Sequence, residues 1–411
     1  MKKDGVRFAP AKEMRMQLKV FRNDIIDGLQ KSSGIIPAKT GAAFLRTIWL
    51  EAAGDVLRIL STDSSLEFTG QYAAKVTEEG LCGVQGKSFF ELVRKLPPGE
   101  IGLTLDAESG NLLIKQGSRR YKLPVSDRNW FQNFSPFPEE GAVTWSGDFL
   151  QELIDRVAYC ISDEDTMEAM ACMFLKPADE AKVEVCGLNG HQFSLVGFLN
   201  DDIHTMLPAE GILIQKKYVA ELKRWLTADE IELAISQKRL FFRTQEKDPE
   251  NEAATPKIET FSLPLSYYQY PDYNTFVSKL ATDGVSTLAI NRDELMDALE
   301  RVAIFNTDNN RCAYFLFDGP NELSLRSQGQ EAGEATETLE CAFTGSLDKV
   351  AFPTKDLLDI LGHFHSPKVT LAMTGAEGPC GITGEEDGDG LVIIMPMKIV
   401  EETYYSEEDI A

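Results

Sequence analysis

The chain has 411 residues, of which 43% are hydrophobic and 26% are charged. This composition is typical of folded globular proteins and excludes general disorder. The longest apolar run, residues 391–397, is much shorter than the roughly 20 residues that a membrane-spanning helix needs. The formal net charge of −24 argues against a nucleic-acid partner unless the charge is unevenly distributed, because Lys and Arg provide most of the affinity for phosphates.

The length predicts two to four domains, at about 100 to 200 residues per domain. Residues 1–15 lack the apolar stretch of a secretion signal and are interpreted as a flexible N-terminal extension. The seven cysteines are scattered and form no C-x-x-C motif, so neither a disulfide framework nor a zinc site is indicated. These features favour a reducing cytoplasm as the compartment.

A short amphipathic helix is predicted at three places along the chain. Its copies are FRNDIIDGL at residues 21–29, SGDFLQELI at 146–154 and NRDELMDAL at 291–299. The predicted capping residues are Asn23, Ser146 and Asn291. Each copy has an aspartate in the first turn, where the helix dipole favours negative charge. The apolar residues that follow have the spacing of one buried face, and they are Ile25, Leu29, Leu150, Leu153, Ile154, Leu295 and Leu299.

A second helix also recurs three times, at nearly equal distances from the first. Its copies align without a gap and are KSFFELVRKL at residues 87–96, KYVAELKRWL at 217–226 and KDLLDILGHF at 355–364. Alternating apolar segments broken by turn residues lie between and after the helices and predict strands joined by hairpins. Examples are residues 44–50, 56–60, 182–185 and 313–317 between the helices, and 101–105, 231–235 and 369–373 after them.

The chain is therefore predicted to contain three copies of one unit, each with the order helix, strands, helix, strands. The second unit is longer than the first, and an insertion of polar, charged and proline residues at 245–257 (QEKDPENEAATPK) accounts for the excess. This composition predicts a solvated hairpin tip.

This arrangement resembles the β subunit of bacterial DNA polymerase III, the sliding clamp, over residues 17–399. The segments that carry the resemblance are KSFFELVRKLPP at residues 87–98, NGH at 189–191, YPDY at 270–273 and IMPMK at 394–398. The resemblance implies an α+β fold of three tandem DNA-clamp domains, each with two helices lining the interior of a ring and antiparallel sheets outside. The implied boundaries are 16–139 for domain I, 140–283 for domain II, 284–399 for domain III and 400–411 for an acidic C-terminal tail.

The resemblance also implies a pocket for short peptides of partner proteins. Apolar side chains dominate this pocket, as a groove for a hydrophobic peptide anchor requires. The implied pocket residues are Met170, Leu188, Gly190, His191, Gln192, Phe193, Pro271, Thr275, Phe276, Pro379, Ile393, Met395, Pro396 and Met397. Alone, His191 fits an ordinary turn or core histidine, and residues 395–397 fit the end of an edge strand.

Two pocket segments depart from the family pattern. Residues 188–193 are LNGHQF where the family usually has Thr-Asp-Gly-His-Arg-Leu, and Asn274 follows Pro-Asp-Tyr where the family commonly has Arg. A different preference among partner peptides is expected. The acidic tail would repel acidic peptides from the neighbouring pocket.

The distribution of charge removes the objection to a DNA partner. The six predicted helical segments carry no net charge together, so the excess of −24 lies elsewhere. The residues expected to face DNA are Lys39, Lys87, Arg94, Lys95, Lys216, Lys217, Lys223, Arg224 and Lys398. A neutral to mildly basic hole within an acidic rim would tolerate a phosphate backbone without gripping bases; for any single helix, a solvated lysine-rich face is the alternative.

The partners that the resemblance implies are a second copy of the chain in a head-to-tail ring, double-stranded DNA without sequence readout, the polymerase III α subunit, the clamp loader, and other polymerases and repair proteins. No membrane partner, metal or cofactor is implied, and the location is the cytoplasm, at the nucleoid during replication. The implied contact between protomers joins Tyr121 to Ile304 and Phe305. For Ile304 alone, a place in the hydrophobic core is the alternative, because most isoleucines are buried.

Two other classes of function compete with this interpretation. An enzyme is disfavoured because the sequence contains no Gly-rich phosphate loop, G-x-S-x-G, H-E-x-x-H or Cys/His metal spacing. A processivity factor without catalytic activity is expected instead. A protein-only scaffold of repeated β-rich domains remains the alternative, and it would have no dependence on DNA.

Overall fold

The computed structural model describes residues 15–37, 42–164, 168–226, 230–246, 255–307, 310–329 and 333–399. The first repeat consists of β1 (Gln17–Phe21), α1 (Arg22–Ile35), β2 (Thr47–Ala53), β3 (Val56–Thr62), β4 (Glu67–Ala73), β5 (Lys75–Glu78), β6 (Gly80–Gln85), α2 (Gly86–Lys95), β7 (Glu100–Asp106), β8 (Asn111–Gln116) and β9 (Arg119–Ser126). The second repeat consists of β10 (Val143–Ser146), α3 (Gly147–Val157), β11 (Cys172–Pro177), β12 (Lys182–Leu188), β13 (Gln192–Leu199), α4 (Asp201–Met206), β14 (Ile212–Gln215), α5 (Lys216–Trp225), β15 (Glu230–Ser236), β16 (Arg239–Glu246) and β17 (Lys257–Pro264).

The third repeat follows a short helix, α6 (Asn274–Val277). It consists of β18 (Ser286–Asn291), α7 (Arg292–Ala303), β19 (Cys312–Gly319), β20 (Glu322–Gly329), β21 (Gly333–Thr344), β22 (Lys349–Pro353), α8 (Thr354–Gly362), β23 (Lys368–Met373), β24 (Cys380–Gly384) and β25 (Gly390–Ile394). The recurring order of helix, strands, helix and strands agrees with the sequence prediction.

The six recurrent helices form where the sequence predicts them, as α1, α2, α3, α5, α7 and α8. The apolar residues assigned to the buried face of the first helix are all buried in the three copies. Two of the three predicted caps are confirmed, because the Asn291 side chain accepts a hydrogen bond from the Glu294 N–H at 3.0 Å and the Ser146 hydroxyl oxygen accepts one from the Phe149 N–H at 3.3 Å.

The prediction that Asn23 caps α1 is wrong. Helix α1 begins at Arg22, so Asn23 already lies inside it. The residue before the helix is Phe21, whose side chain forms no capping hydrogen bond. The Arg22 N–H instead donates to the Gly99 carbonyl oxygen at 2.9 Å. A tertiary contact thus satisfies a backbone donor that a cap would otherwise satisfy.

The described residues form two compact units. The first comprises the described residues up to Leu150 together with Ala220–Leu265, and the second comprises Gln151–Val219 together with those from Ser266 onward. The second repeat therefore contributes strands to both units. The division into three domains at residues 139 and 283 stays a prediction.

In the first unit, thirteen described strands form one sheet in the order β10-β15-β16-β17-β4-β3-β2-β6-β9-β8-β7-β1-β5. The antiparallel pair β17–β4, with Phe261 opposite Phe68, joins strands of the second and first repeats. One core cluster of this unit lies between the sheet and helices α1 and α2 and includes Ile25, Leu29 and Phe89.

In the second unit, twelve described strands form a sheet in the order β14-β11-β12-β13-β25-β24-β23-β18-β21-β20-β19-β22. The pair β13–β25 joins strands of the second and third repeats, with Phe193 opposite Ile393. The main core of this unit packs α7 and α8 against the strands of the third repeat. All strand pairs in both sheets are antiparallel within the described ranges, as the α+β prediction requires.

Two local details refine the strand predictions. Residues 44–46 belong to a 3₁₀ turn, Ala43–Arg46, so β2 begins only at Thr47. The predicted hairpin at the insertion is present, because β16 and β17 pair with Glu246 opposite Lys257; residues 247–254 at its tip lie outside the described residues.

The seven cysteines all lie in the described ranges and carry free thiols, six of them buried. Burial raises the pKa of the Cys82 thiol to about 12, so this side chain is a neutral core group at physiological pH. Within the described ranges, no helix has both the length and the apolar content that crossing a membrane requires.

Candidate functional site

An apolar cluster in the second unit contains five of the fourteen predicted pocket residues. Its buried members are Cys172, Phe174, Cys186, Leu188, Phe193, Leu213, Tyr273 and Ile393, and partly buried residues including Met170 and Phe276 pack against it. Strands β11, β12, β13 and β25 supply most of these side chains. The structure therefore brings together five predicted pocket residues, Met170, Leu188, Phe193, Phe276 and Ile393, that come from four separate parts of the sequence.

The turn between β12 and β13 carries the NGH motif. The Asn189 side-chain oxygen accepts hydrogen bonds from the N–H groups of His191 at 3.0 Å and Gln192 at 2.8 Å. Gly190 has a φ of +92°, a backbone conformation that residues other than glycine rarely adopt. His191 is exposed in this turn, which excludes the alternative of a core histidine and leaves the alternative of an ordinary turn residue open.

The end of β25 lies directly beside this turn. The Met395 N–H donates to the His191 carbonyl oxygen at 2.9 Å, and the Met397 N–H donates to the Ala351 carbonyl oxygen at 2.7 Å. The two methionine side chains are 36% and 38% exposed. Because both backbones are held by hydrogen bonds while both residues remain partly exposed, the segment presents adaptable apolar surface next to the buried cluster.

The YPDY motif forms the aromatic part of the cluster. The Tyr273 ring stacks on Phe193 with centroids 5.1 Å apart, and Phe193 meets Phe276 edge to face at 5.1 Å. The Tyr273 hydroxyl donates to the Glu184 carboxylate, and the Lys176 ammonium lies 4.8 Å from the Tyr273 ring centroid. Burial raises the pKa of Tyr273, and the charge and hydrogen bond of Glu184 contribute to the increase, so the phenol remains a neutral donor.

The remaining predicted pocket residues are not members of this cluster, and two of them, Pro271 and Pro396, are half-buried. Pro379 is buried immediately before β24, whose first residue, Cys380, lies opposite Ile394. Thr275 is exposed and its hydroxyl donates to the Asp272 carboxylate at 3.4 Å. Gln192 is buried and its side-chain oxygen accepts a hydrogen bond from the Asn189 amide at 3.3 Å, so it completes the turn.

Sequence reasoning missed several members of the cluster. Sequence reasoning did not identify Phe174, Tyr273 or the Lys176–Glu184 pair, whose charged atoms are 3.5 Å apart. The signals available were the continuous apolar run of β11, the alternating apolar residues at the start of β12 and the second tyrosine of YPDY. Their convergence depends on the pairing of strands that are distant in sequence.

The predicted DNA-facing residues occupy two helices and one terminal segment. On α2, Lys95 is exposed, Lys87 is half-buried, and Arg94 pairs with Glu91 at 2.7 Å. On α5, Lys217, Lys223 and Arg224 are exposed. Lys398 is also exposed, whereas Lys39 lies outside the described residues.

Lys216 differs from the other basic residues of α5. Its ammonium donates to the Ile161 carbonyl oxygen at 2.7 Å and pairs with the Asp163 carboxylate at 2.7 Å. These contacts hold the side chain against its own unit, so Lys216 is less available to a phosphate than Lys217.

The predicted interface residues show contrasting exposure. Tyr121 on β9 is half-buried and packs against the core of the first unit. Ile304, just after α7, is 73% exposed, and the neighbouring Phe305 is half-buried. The exposure of Ile304 excludes the alternative of core packing for this residue.

Family models and similar proteins all point to the same protein family. The family model described as the N-terminal domain of the DNA polymerase III beta subunit matches residues 16–135, and the model of its C-terminal domain matches residues 280–398. The beta sliding clamp of Caulobacter vibrioides is 23% identical over 390 residues, which cover 93% of this chain and 100% of that protein. The beta sliding clamp of Escherichia coli K12 is 23% identical over 386 residues, with 93% and 100% covered.

Solved clamp structures have the same fold. The Caulobacter crescentus beta sliding clamp has a TM-score of 0.81 at 22% identity and covers 94% of this chain and 100% of its own. The Bartonella birtlesii clamp, solved bound to griselimycin, has a TM-score of 0.79 at 21% identity, again covering 94% and 100%. The chain belongs to the family of bacterial DNA polymerase III beta subunits, the sliding clamps, which are DNA-replication processivity factors and not enzymes.

Proposed function

We propose that two copies of this chain join head to tail into a ring that encircles duplex DNA without sequence specificity. The ring tethers polymerases, the clamp loader and repair proteins through the apolar pocket formed by the second and third repeats. The observation that carries the proposal is the convergence of Met170, Leu188, Phe193, Phe276 and Ile393 in one cluster. The three-domain division and the cytoplasmic, nucleoid-associated location belong to the same proposal.

The chemistry of the pocket supports capture of a short peptide with an apolar anchor. Buried aromatic and aliphatic side chains form its floor, and the exposed methionines 395 and 397 supply adaptable contacts at its edge. A flexible apolar surface of this kind suits several different partners. The positions that are commonly Arg in the family are Gln192 and Asn274 here, so we propose that partner peptides depend less on acidic residues.

The basic residues of α2 and α5 support the DNA part of the proposal. Each helix has positive formal charge, with three basic residues against Glu91 in α2 and four against Glu221 in α5. In both helices two basic residues occupy the last turn, Arg94 with Lys95 and Lys223 with Arg224. Positive side chains without groove-reading elements favour contact with phosphates and leave base sequence unread.

The exposure of Ile304 supports the proposed contact between protomers. A large apolar side chain that is 73% exposed loses water contact favourably when a partner covers it. Tyr121 offers an aromatic side chain for the other half of the contact, and aromatic residues are enriched at such interfaces.

The test is retention on DNA in high salt. The purified chain is loaded onto nicked circular plasmid with a clamp loader and ATP, washed in high salt, and followed before and after the plasmid is linearised. Retention that ends on linearisation is expected, because a closed ring is held topologically, whereas phosphate contacts weaken steeply with salt. A monomeric mass in solution together with failure to load would refute the ring and favour the protein-only scaffold.

A further inference from the structure

We infer that Arg156, at the end of α3, is a positioning residue for the peptide pocket: it fixes the loop before β25 and thereby the place of residues 393–397 beside β13. The inference rests on the proposed function of the pocket. Arg156 is not itself a pocket residue and would touch no bound peptide.

The guanidinium group of Arg156 binds the loop between β24 and β25. Its Nη2 donates to the Asp387 carbonyl oxygen at 2.5 Å, and the side chain is only 16% exposed. The nearest carboxylate with which it pairs, on Glu152, is 3.8 Å away and 51% exposed. A hydrogen bond from an ionised donor is stronger than a neutral one, so this contact restrains a carbonyl three residues before β25 begins.

The first residue of β25, Gly390, leaves room for this contact because it has no side chain. An added Cβ would overlap Arg156 Nη2 and lie 3.1 Å from the Asp387 carbonyl oxygen. The close approach of the guanidinium to the backbone therefore requires glycine at this position.

The backbone of Arg156 binds the other strand of the pair. The Ser194 hydroxyl donates to the Arg156 carbonyl oxygen at 2.6 Å, and Ser194 is 1% exposed on β13. Ser194 lies opposite Val392 of β25, and the adjacent pair is Phe193 with Ile393. One residue of α3 thus binds β13 and the loop that leads into β25, and the Phe193–Ile393 pair at the floor of the pocket lies one position further along these two strands.

The loop is otherwise anchored away from α3. The Asp387 carboxylate accepts hydrogen bonds from the His365 N–H at 2.9 Å, the Ser366 N–H at 3.1 Å and the Ser366 hydroxyl at 2.5 Å. Asp389 pairs with Lys182 at 3.0 Å. These contacts attach the loop to the segment after α8 and to β12, and Arg156 supplies a side-chain link to α3.

The experiment measures griselimycin binding to the full-length chain by isothermal titration calorimetry, since a solved relative binds this molecule. The variants are Arg156→Ala, Gly390→Ala and the double variant. The matched control is Arg58→Ala, which removes a 43%-exposed arginine paired with Glu51 on the first unit. Melting temperature is recorded for each, and Arg156→Met, which keeps most of the side-chain length, replaces Arg156→Ala if that variant has lost its fold.

Arg156→Ala is expected to weaken binding about tenfold, within the range for residues that act on a site through others. Gly390→Ala should weaken it similarly in the wild-type background and have little further effect when Arg156 is already absent, because both changes remove the same contact. The control should bind like wild type.

Two results would overturn the inference about Arg156 and leave the proposed pocket standing. The first is an Arg156→Ala affinity within about twofold of the wild-type affinity, and the second is additive effects of Arg156→Ala and Gly390→Ala. Absence of binding by the wild-type chain would overturn the proposed pocket and the inference with it. Amide exchange at residues 390–397 gives a second readout: it should increase in Arg156→Ala, and unchanged exchange would contradict a positioning role.

Discussion

Glu259 is a buried carboxylate of the second repeat that two side chains of the first repeat contact within the first unit. It is 1% exposed, and it accepts hydrogen bonds from the Tyr72 hydroxyl at 2.8 Å and the Lys31 ammonium at 2.6 Å. Glu259→Ala should lower the free energy of unfolding by about 3 kcal/mol, because removing one partner leaves a largely buried ammonium uncompensated. Urea denaturation measures the loss.

The control for this prediction is Glu246→Ala. Glu246 also pairs with a lysine, Lys257, at 3.0 Å, but its side chain is 63% exposed, so its loss should cost less than about 1 kcal/mol. Equal losses for the two variants would contradict a special role for the buried pair.

Asp387 makes stability depend on pH in the acid range. Burial opposes its charge, but hydrogen bonds from Ser366 and from the backbone of His365, with the nearby charge of Arg156, hold its pKa below the usual 3.8. Because the folded state has the lower pKa, the stabilisation is complete above the unfolded value and is lost as pH falls through the folded value.

The Asp387→Asn variant tests this dependence by calorimetry. Its melting temperature should lie furthest below that of wild type above about pH 5, and the gap should narrow as the pH falls below the unfolded pKa and through the lower folded pKa of Asp387. A gap that stays constant or widens in acid would contradict the assignment.

The helix caps show how local contacts differ between repeats that look alike in sequence. Asn291 caps α7 through the Glu294 N–H, whereas Asn23 lies inside the first turn of α1 and accepts a hydrogen bond from the Arg22 guanidinium at 3.2 Å. Asn291→Ala should therefore cost about 1 kcal/mol of unfolding free energy, the usual value for a lost cap. Asn23→Ala is the control and should cost much less; chemical denaturation of both variants decides the matter.

Local periodicity predicted the six recurrent helices and, apart from residues 44–46, the strand segments named from the sequence, because it reports which residues of a segment share one face. It did not predict the pairings β17–β4 and β13–β25, which join strands of different repeats. Such registers depend on packing between distant segments. For the same reason Tyr273 and Glu184 were missed in the pocket, although their neighbours Phe276 and Leu188 were identified through the family resemblance.

At the scale of the whole molecule, the uneven distribution of charged residues reconciles a strongly negative net charge with the proposed DNA partner. The formal charge is −24, yet α2 and α5 each have a positive excess. In the proposed ring these helices face DNA, while the acidic remainder repels phosphate from other surfaces. This distribution could be predicted from the sequence alone. Which basic side chains are available to a phosphate could not, because that depends on contacts such as the Lys216–Asp163 ion pair, whereas Lys217 is exposed.

The proposed ring predicts that one exposed side chain controls assembly. Ile304→Arg places a charge where an apolar partner surface is expected, so the chain should become monomeric in analytical ultracentrifugation, because an unpaired charge at an interface is costly to desolvate. Retention on nicked circular DNA should be lost with the dimer. Folding should be unaffected, since Ile304 is 73% exposed.

Leu199→Arg is the matched control for this last prediction. Leu199 is 76% exposed, so its replacement adds the same charge at an equally exposed aliphatic position that the proposed interface does not include. The control should remain dimeric and load onto DNA like wild type. A dimeric Ile304→Arg chain would refute the assigned interface, whereas dissociation of both variants would indicate that added positive charge, and not the site, disrupts assembly.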